Sequence, residues 1–440
     1  MQFGKFYDDA KSTFNKLSGK GAKIAIFTNR SKQEIQSILD ANPDVSKNVS
    51  FFVDKIKPIM DDSSIDIYFK EQRSLPAACV PISGIIDTLR TKGKNVSVHY
   101  SQGSYLGNIH FDHPYKVEDH IDSLSFPFSK IWKFDNFDEV TKLVNAYLDE
   151  ISSSVSCSKG LIEGLEWSLN ETMDNVLQHS NGGTGYMMGV IHRSTNYALF
   201  SIFDNGQGIY NSLRDSEFHP RNAIDAISIA IQEGKTRDKR IGQGNGLWGL
   251  NNIILSNHGK LEITSNGSSL MIQNDGTSRK FVDLPILDTK QATTTINFSL
   301  NYSNEVSVSE ALGGYVPSDI RYEDKVDEEN CLHFLLTSEA SGFGTRIAGE
   351  RVRNKVLNHL KRIDTPSAVN IDFSGISMIS SSFADEFLGK MLAELGFFRF
   401  TKTIFLSNVS EVIEPIINRS VAQRMAAIYM GEQIDESSLE

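Results

Sequence analysis

The stretch that decides the fold is "LNETMDNVLQHSNGG", residues 169 to 183. It places Glu171, Asn175 and His179 at four-residue steps, which is the spacing of neighbours on one side of an α-helix. The other side of this predicted helix carries an apolar stripe, which predicts packing on a sheet. The stripe consists of Ile162, Leu165, Leu169, Met173 and Val176. Glu171 and Asn175 face away from it, and His179 lies at the edge of the polar row. The polar row is either solvated surface or the wall of a binding site, and this helix alone leaves both interpretations open.

A second motif, "FDNGQGI", occupies residues 203 to 209 and ends the predicted strand "YALFSIFD". Gly206 and Gly208 allow a backbone turn that brings the carboxylate of Asp204 to the floor of a pocket. A carboxylate in that position can accept a hydrogen bond from an exocyclic amine such as that of adenine. The alternative is a hairpin turn, for which Asp-Asn-Gly is a strong signal.

A third motif, "GQGNGLWGLNNII", begins at residue 242 and carries glycines at 242, 244, 246 and 249 directly before a helical pattern. The backbone amides of such a loop can bind an anion at the N-terminus of the following helix. A flexible loop without a ligand is the alternative.

Around these motifs the chain divides into segments of different pattern. Residues 1–125 alternate β-rich and helical runs and predict a small α/β domain, and residues 130–302 predict a helix and sheet sandwich with an antiparallel, mixed or parallel sheet. A polar stretch at 303–325 is typical of a linker. Residues 326–430 repeat the strand, helix, strand rhythm of the first domain and suggest a second copy of its fold. Residues 431–440 predict a frayed acidic tail.

The composition restricts the class of protein. The 440 residues are 40% hydrophobic and 22% charged, which is typical of globular chains, and no apolar run approaches the ~20 residues of a membrane helix. A net charge of −11 argues against general nucleic-acid binding, since duplex affinity depends on Lys and Arg. The N-terminal residues lack a secretory signal, and three scattered cysteines suit a reducing compartment. We therefore expect a soluble cytoplasmic protein without a membrane partner.

Taken together and in this order, the three motifs resemble the nucleotide-binding site of the gyrase, histidine kinase and MutL ATPase superfamily, the Bergerat fold. The pattern E-x-x-x-N-x-x-x-H is similar to its N box, D-x-G-x-G to its first glycine box, and G-x-G-x-G-L to its ATP lid. The resemblance covers roughly residues 130–302. It implies a central α/β sandwich of the Bergerat type, here between the two small α/β domains.

The resemblance also implies roles for individual residues. Asn175 would coordinate Mg²⁺ on the phosphates of ATP, and Asp204 would recognise adenine, with Gly206 and Gly208 allowing the base to approach. Glu171 would orient or deprotonate the attacking nucleophile. The remaining predicted ligand contacts are the lid residues Gly242, Gly244, Gly246 and Leu247, and Thr294, the best match to the family's phosphate-contacting threonine. The glycine that precedes this threonine in the family is absent.

Sequence features distinguish the branches of this superfamily. Sensor histidine kinases carry a phosphorylatable histidine on a helix before the ATPase domain, but this chain has no histidine between His120 and the predicted N-box helix. Gyrase-like members carry a transducer domain after the ATPase domain, whereas this chain continues into the small α/β domain. Both branches are therefore disfavoured. The N box "NETMDNVLQHS" most resembles that of anti-sigma-factor serine kinases.

The C-terminal stretch "VNIDFSGISMISSSFADEFLGKML" resembles STAS domains, and most closely the STAS-like family of unknown function. With the shared rhythm of the two flanking domains, the resemblance implies that residues 1–125 and 326–430 are both small STAS-like α/β domains. STAS antagonists carry Asp-Ser-Ser-Gly at the helix start, with a serine as phosphoacceptor. Ser381 matches the position of that serine and is the candidate phosphoacceptor, but the chain departs from the family pattern on both sides, with Ser380 in place of the Asp and Phe383 in place of the Gly. The alternative is that these serines only cap the helix.

The expected function is a Mg·ATP-binding regulatory protein that controls a protein interaction through the state of its ATP lid. As an enzyme it would be an ATP hydrolase or an anti-sigma-type protein serine kinase. Two alternatives stay open: a non-catalytic ATP-sensing scaffold, and a nucleotide-gated dimer clamp in stress or phage defence. The expected ligands are ATP and Mg²⁺. The protein partner is unknown, with the chain's own STAS-like domain or a second copy in a homodimer as candidates.

Overall fold

A computed structural model describes most of the chain. The described residues are 24–28, 45–62, 64–69, 76–101, 103–179, 183–232, 234, 246–287, 292–315, 325–362 and 366–430. Gly242, Gly244 and the predicted acidic tail at 431–440 lie outside them, as does the side chain of His179.

The chain forms two compact units, and both are discontinuous in sequence. Unit 1 comprises residues 1–147 and 167–301, and unit 2 comprises residues 148–166 and 302–440. They therefore group residues differently from the linear domains expected at 1–125, 130–302 and 326–430, whose boundaries stay predictions.

Fourteen strands are described. They are β1 (Ile24–Thr28), β2 (Ser64–Phe69), β3 (Asn95–His99), β4 (Tyr115–Lys116), β5 (Trp132–Phe134), β6 (Gly185–His192), β7 (Tyr197–Asp204), β8 (Lys260–Ser265), β9 (Ser268–Ile272), β10 (Ser278–Phe281), β11 (Thr294–Asn301), β12 (Cys331–Leu335), β13 (Ala368–Asp372) and β14 (Ile404–Ser407).

The α-helices of unit 1, including two that also contribute residues to unit 2, are α1 (Val45–Ile56), α2 (Pro76–Thr91), α3 (Tyr105–Asn108), α4 (Phe137–Ser154), α5 (Leu161–His179), α6 (Gly208–Leu213), α7 (Ala223–Ala230) and α8 (Gly246–Ser256). Those of unit 2 are α9 (Val308–Ala311), α10 (Leu336–Glu339), α11 (Arg346–His359), α12 (Ser381–Ala384), α13 (Lys390–Leu395), α14 (Phe397–Thr403) and α15 (Glu414–Met430). Two 3₁₀ segments span Lys57–Ile59 and Glu118–Ser125.

Unit 1 is built on a mixed sheet of eight strands in the order β10-β9-β8-β11-β7-β6-β5-β4. β11 lies between β7 and β8 and pairs antiparallel with both, so that Thr294 is opposite Asp204 on one side and Ser265 on the other. Because side chains alternate along a strand, Asp204 and Thr294 lie on one face of the sheet, and Phe203 and Thr295 lie on the other.

The N-terminal part of unit 1 packs on the second of these faces. Its own three-stranded sheet, β1-β2-β3, has β1 antiparallel and β3 parallel to β2. α2 crosses the large sheet closely because Gly84 has no side chain: a Cβ there would lie 2.5 Å from the Phe203 ring. Asp87, one turn further along α2, accepts hydrogen bonds from the Tyr186 hydroxyl and from Lys133 Nζ, both at 2.7 Å. The N-terminal strands and the large sheet therefore share one apolar core.

Unit 2 has a parallel three-stranded sheet, β12-β13-β14, with the apolar core between it and its helices. The unit also contains residues 148–166. The first half of the predicted linker is folded here, since the Val306 amide donates to the Lys159 carbonyl at 2.9 Å and Val308 is buried. β13, the helical segment after it and β14 follow the predicted strand, helix, strand order.

That helical segment is not a regular α-helix throughout. Residues Asp385–Gly389 form a π-helical turn between α12 and α13. Asp385 and Glu386 of this turn are buried, and each meets an arginine: Arg424 donates to both Asp385 oxygens at 2.7 and 2.6 Å, and Arg353 donates to Glu386 Oε1 at 2.6 Å. Most π-helical segments in proteins are single turns of this kind within an α-helix.

Two further observations complete the description. Of the helices in the described part of the chain, none combines the length and the apolar composition that a bilayer crossing requires. The three cysteines are free thiols; Cys79 and Cys157 are buried, and Cys331 is partly exposed.

Candidate functional site

The described residues of the expected nucleotide site lie in unit 1; they are Glu171, Asn175, Asp204, Gly206, Gly208, Gly246, Leu247 and Thr294. The apolar stripe predicted on α5 is confirmed, since all five of its side chains are at least nine-tenths buried. Glu171 and Asn175, on the opposite side of α5, are half-buried rather than fully solvated.

Asp204 is buried at the end of β7, where Oδ1 accepts the amide of Gly206 at 2.8 Å. Burial raises the pKa of this carboxyl to about 6, although hydrogen bonds from the Gly206 backbone and from the hydroxyl and backbone of Thr294 oppose the rise. A carboxylate kept from water at a cost of this kind is poised to accept a further hydrogen bond from a ligand.

Gly208 is required by the turn that follows. Its φ is +78°, and a Cβ on it would lie 2.0 Å from the Ala292 carbonyl oxygen and 2.2 Å from Asn266 Oδ1. The left-handed conformation favours glycine, and the close approach excludes any side chain. The glycine therefore lets α6 begin directly behind the Asp204 turn.

Ser265 and Asn266 were not among the predicted site residues, yet they organise this turn. Ser265 Oγ accepts the amide of Ile209 and Asn266 Oδ1 accepts the amide of Tyr210, both at 2.9 Å, so they satisfy the first turn of α6. Ser265 Oγ is also 3.2 Å from the Thr294 hydroxyl. The signal that could have found them is "SNGS" (265 to 268), an Asn-Gly pair with positive φ at both residues, typical of a two-residue hairpin turn.

Thr294 thus lies beside Asp204 by strand register and hydrogen bonding, although the resemblance matches it to a threonine that contacts phosphate. Asn205, next along from Asp204, is held by two contacts: its Oδ1 accepts the Thr184 amide at 2.7 Å, and its Nδ2 donates to Thr88 Oγ1 of α2 at 3.0 Å.

A second group of side chains surrounds Glu171. Burial, followed by the nearby charge of Asp174, raises the pKa of the Glu171 carboxyl, while the Asn175 amide lowers it. Burial likewise raises the pKa of Asp174. The Asn175 side chain, one turn along α5, is thus engaged with the Glu171 carboxylate.

The start of α8 lies against this group. A Cβ on Gly246, its first residue, would lie 1.9 Å from Glu171 Oε1 and 2.7 Å from Glu171 Cγ. The glycine therefore leaves the space that the Glu171 side chain occupies. Leu247, the next residue, packs on the buried cluster of Leu213, Ala226 and Ala230.

Residues 246 and 247 thereby bring the three motifs together. Gly246 touches Glu171 of the first motif, and Leu247 packs on the same cluster as Ile209, the last residue of the second motif, and its neighbour Tyr210. The start of α8 is thus linked to both of the other motifs. Gly242 and Gly244, the remaining predicted residues of the loop, are outside the described residues.

Ser381 lies in unit 2, where it is the exposed first residue of α12. The residue that caps this helix is its neighbour Ser380, whose Oγ accepts the Phe383 amide at 3.0 Å. The Ser381 hydroxyl is therefore not needed for capping.

The residues fit a Mg·ATP ligand in their chemistry. The buried carboxylate of Asp204 lies at a strand end, and the Asn175 amide and the Glu171 carboxylate lie one helical turn apart, with Glu171 against the start of α8. Oxygen ligands of this kind suit Mg²⁺, which takes only one or two protein ligands alongside phosphates.

Comparison with known proteins bears mainly on unit 2. Residues 348–414, from α11 to the first residue of α15, match the STAS-like domain of unknown function (DUF4325). Among solved structures the chain is similar to "Mycobacterial sensor histidine kinase MprB", with 16% identity over 39% of this chain and 97% of that chain and a TM-score of 0.23, which is too low to support an argument. We found no match among curated proteins. The C-terminal part of this mixed α/β chain is thus similar to STAS-like domains.

Proposed function

We propose that unit 1 carries a Bergerat-type site for Mg·ATP and that the protein is a regulatory ATPase or protein serine kinase. One observation supports the proposal: Gly246 at the start of α8 lies against Glu171 of the first motif, and Leu247 packs on the same apolar cluster as Ile209, the last residue of the second motif. Solvated surface, hairpin turn and empty loop, the separate alternatives for the three motifs, do not account for this convergence.

In this proposal Asp204 recognises the base. Its carboxylate accepts a hydrogen bond from the exocyclic amine of adenine, while the Gly206 amide and Thr294 fix its orientation. Gly208 permits the tight turn at positive φ that follows the carboxylate. A hydrogen bond from the adenine amine would offset part of the desolvation cost that raises the pKa of Asp204.

Asn175 and Glu171 act at the phosphate end. The Asn175 side chain would supply the amide oxygen that holds Mg²⁺, and the residues that follow the glycine-rich loop, Gly246 and Leu247, would border the phosphates. Bound Mg·ATP supplies a γ-phosphoryl group for transfer to water or to a serine hydroxyl. Glu171 orients the attacking hydroxyl and takes up its proton, a role that its raised pKa favours.

The regulatory part of the proposal rests on the STAS-like match. Ser381 is exposed and free of a capping role, so it is a candidate acceptor for the phosphoryl group. A phosphate at the first residue of a helix would be favoured by the helix dipole.

Calorimetric titration with Mg·ATP tests base recognition. Replacing Asp204 by Asn substitutes a group that can present a donor to the adenine amine, and we expect ATP affinity to fall roughly 5- to 150-fold. Asp215→Asn, the same change on an exposed loop, should leave affinity unchanged. Equal affinities of wild type and Asp204→Asn would overturn the assignment.

Phosphate release and intact mass test the chemistry. Glu171→Gln should bind Mg·ATP but lose turnover, whereas Asn175→Ala should lose the Mg²⁺ dependence of binding. Incubation with Mg·ATP should add one phosphate that is absent in Ser381→Ala if the protein is a serine kinase. Tight binding with neither phosphate release nor added mass in the wild type would identify the non-catalytic scaffold instead.

A further inference from the structure

Three side chains that can bind a metal ion lie close together in unit 2, and the proposed function does not use them. They are Asp327, Cys331 and His333, at the start of β12 and in the turn before it. A carboxylate oxygen, the thiol sulfur and an imidazole nitrogen of these residues all lie within 4.8 Å of one another. The cluster precedes residues 348–414, the part of the chain that matches the STAS-like family.

A hairpin brings these residues together. The Asp327 amide donates to the Cys331 carbonyl at 3.1 Å, and Val326 pairs antiparallel with Leu332 at the next position. Asp327 therefore lies opposite Cys331, and His333 follows two residues later. Because side chains alternate along a strand, Leu332 is buried in the core of unit 2, while Cys331 and His333 point to the other face. The hairpin thus presents all three side chains on one face.

The Asp327 carboxylate is fixed through both of its oxygens. Oδ1 accepts the backbone amides of Glu329 at 3.0 Å and of Cys331 at 2.9 Å, which stabilises the turn. Oδ2 is 2.8 Å from His333 Nε2. An exposed pair of Asp and His is common on protein surfaces and by itself indicates no ligand. This pair differs because a third group that binds metals, the partly exposed Cys331 thiol, lies beside it.

The charges around the cluster favour a cation. The carboxylates of Glu329 and of Asp372, on the neighbouring strand β13, lie near enough for their charges to act on the cluster. Lys325 is opposite His333 in the hairpin, but its Nζ donates to Glu339 Oε1 at 2.7 Å. The positive charge of this lysine is therefore already paired, and a bound cation would offset the negative charge on this face.

We propose that Asp327, Cys331 and His333 form a site for a thiophilic divalent metal ion such as Zn²⁺, with water at the fourth position. Thiolate and imidazole ligands favour Zn²⁺ and Co²⁺ over Mg²⁺ and Ca²⁺, which take oxygen ligands. Ligands about 2.0–2.3 Å from Zn²⁺ lie roughly 3.3–3.7 Å apart, and rotation of the three side chains supplies this contraction. Binding releases the thiol proton of Cys331 to solvent, because the thiolate is the ligand.

Titration of the full chain with Co²⁺ tests the proposal, because a cobalt–thiolate bond gives a charge-transfer band in the near ultraviolet. The protein is purified without a histidine tag, reduced, and freed of metal with a chelator. We expect the band to saturate at one equivalent of Co²⁺, to disappear when Zn²⁺ is added and to persist in excess Mg²⁺. Cys331→Ser should abolish the band, and Asp327→Asn and His333→Gln should each weaken Co²⁺ binding roughly tenfold or more.

Two features of the variants separate metal binding from folding. Asp327→Asn keeps a side-chain oxygen that can accept the two amides of the turn, so weaker binding does not come from a lost turn. His192→Gln makes the change of His333→Gln at an exposed histidine on β6, and it should bind Co²⁺ as the wild type does. The proposal is overturned if the wild type shows no band, if Mg²⁺ displaces Co²⁺ as well as Zn²⁺ does, if Cys331→Ser keeps the band, or if Asp327→Asn and His333→Gln bind as tightly as the wild type. None of these measurements involves ATP, so the result stands apart from the proposed function.

Discussion

Asp204 is a single side chain whose ionised form is destabilised in the folded chain without a ligand. Its carboxyl is buried beneath the turn that its own oxygen stabilises, and this burial raises its pKa to about 6. The folded chain without ligand therefore binds a proton at Asp204 more tightly than the unfolded chain does.

The sign of the resulting pH dependence follows directly. The stability contributed by Asp204 is fully present below its unfolded pKa near 4 and is lost as pH rises through about 6. At 1.36 kcal/mol per pKa unit this loss is at most about 3 kcal/mol. Urea unfolding from pH 4 to 7 should show the stability of the wild type falling relative to Asp204→Asn. The tryptophan signal reports unit 1, since Trp132, Trp167 and Trp248 all lie there. A difference between the two proteins that does not change with pH would contradict the prediction.

Two glycines near the site should respond differently to the same substitution. In Gly208→Ala the new Cβ meets a backbone oxygen at a positive φ, neither of which can relax, so we expect a loss of more than about 2 kcal/mol. In Gly246→Ala the Cβ meets the movable end of Glu171, so stability should change little while Glu171 is displaced and turnover falls.

Thermal unfolding together with phosphate release checks this contrast, because each alanine variant serves as the control of the other. A Gly208→Ala protein as stable as the wild type would show that the turn is not fixed as described. Full turnover in Gly246→Ala would show that the position of Glu171 does not matter for hydrolysis or transfer.

At this scale the sequence predicted some residues and not others, for physical reasons. The stripe on α5 and the position of Asp204 at a strand end follow from periodicities that a single segment carries. The residues that contact Asp204 and the start of α6 could not be predicted in this way. Thr294 and Ser265 are brought to these positions by the pairing of β11 with β7 and β8, which no single segment encodes. Only the Asn-Gly turn at 266 and 267 left a local signal.

At the scale of elements, α11 connects distant parts of unit 2 through polar side chains. Arg351 donates to both oxygens of Glu150 at 2.6 and 3.0 Å, across 201 residues of sequence. Asn358 makes three hydrogen bonds to the backbone of residues 152–157, donating to the Ser152 and Val155 carbonyls and accepting from the Cys157 amide. No periodicity within 148–166 predicts this association, which explains why linear domain boundaries did not anticipate the discontinuous units.

A graded pair of variants measures the contribution of this helix. Asn358→Leu leaves three backbone groups without their partner, whereas Asn354→Leu removes one bond, to the Ser153 carbonyl at 3.1 Å. At about 1–3 kcal/mol for each unsatisfied buried group, Asn358→Leu should cost several kcal/mol and clearly more than Asn354→Leu. Both side chains are nearly fully buried, so the comparison is matched for burial. Chemical unfolding followed by far-UV circular dichroism decides it, and equal losses would argue against the hydrogen bonds as the cause.

The π-helical turn at Asp385–Gly389 is a second element that the local pattern could not predict. The apolar spacing of 382–396 is that of an ordinary helix, and the departure accompanies partners on α11 and α15, Arg353 and Arg424. Local propensity and long-range ion pairs disagree here, and the tertiary contacts prevail.

At the scale of the whole molecule, the two units differ in where the tryptophans and the partly exposed cysteine lie. The three tryptophans lie in unit 1. Cys331, the partly exposed thiol, lies on β12 of unit 2, while Cys79 and Cys157 are buried.

This distribution makes the unaltered chain suitable for a distance measurement by fluorescence. A thiol-reactive acceptor dye should attach to one cysteine per native chain and to three after denaturation, as intact-mass spectra would show. Burial and the neighbouring charge of Asp327 raise the pKa of the Cys331 thiol, so labelling should speed up at mildly alkaline pH. The tryptophans then serve as energy donors in one unit and the dye as the acceptor in the other. The efficiency of energy transfer between them reports the distance between the two labelled positions, and it can be compared with and without ATP. The protein used for this measurement carries no engineered substitution.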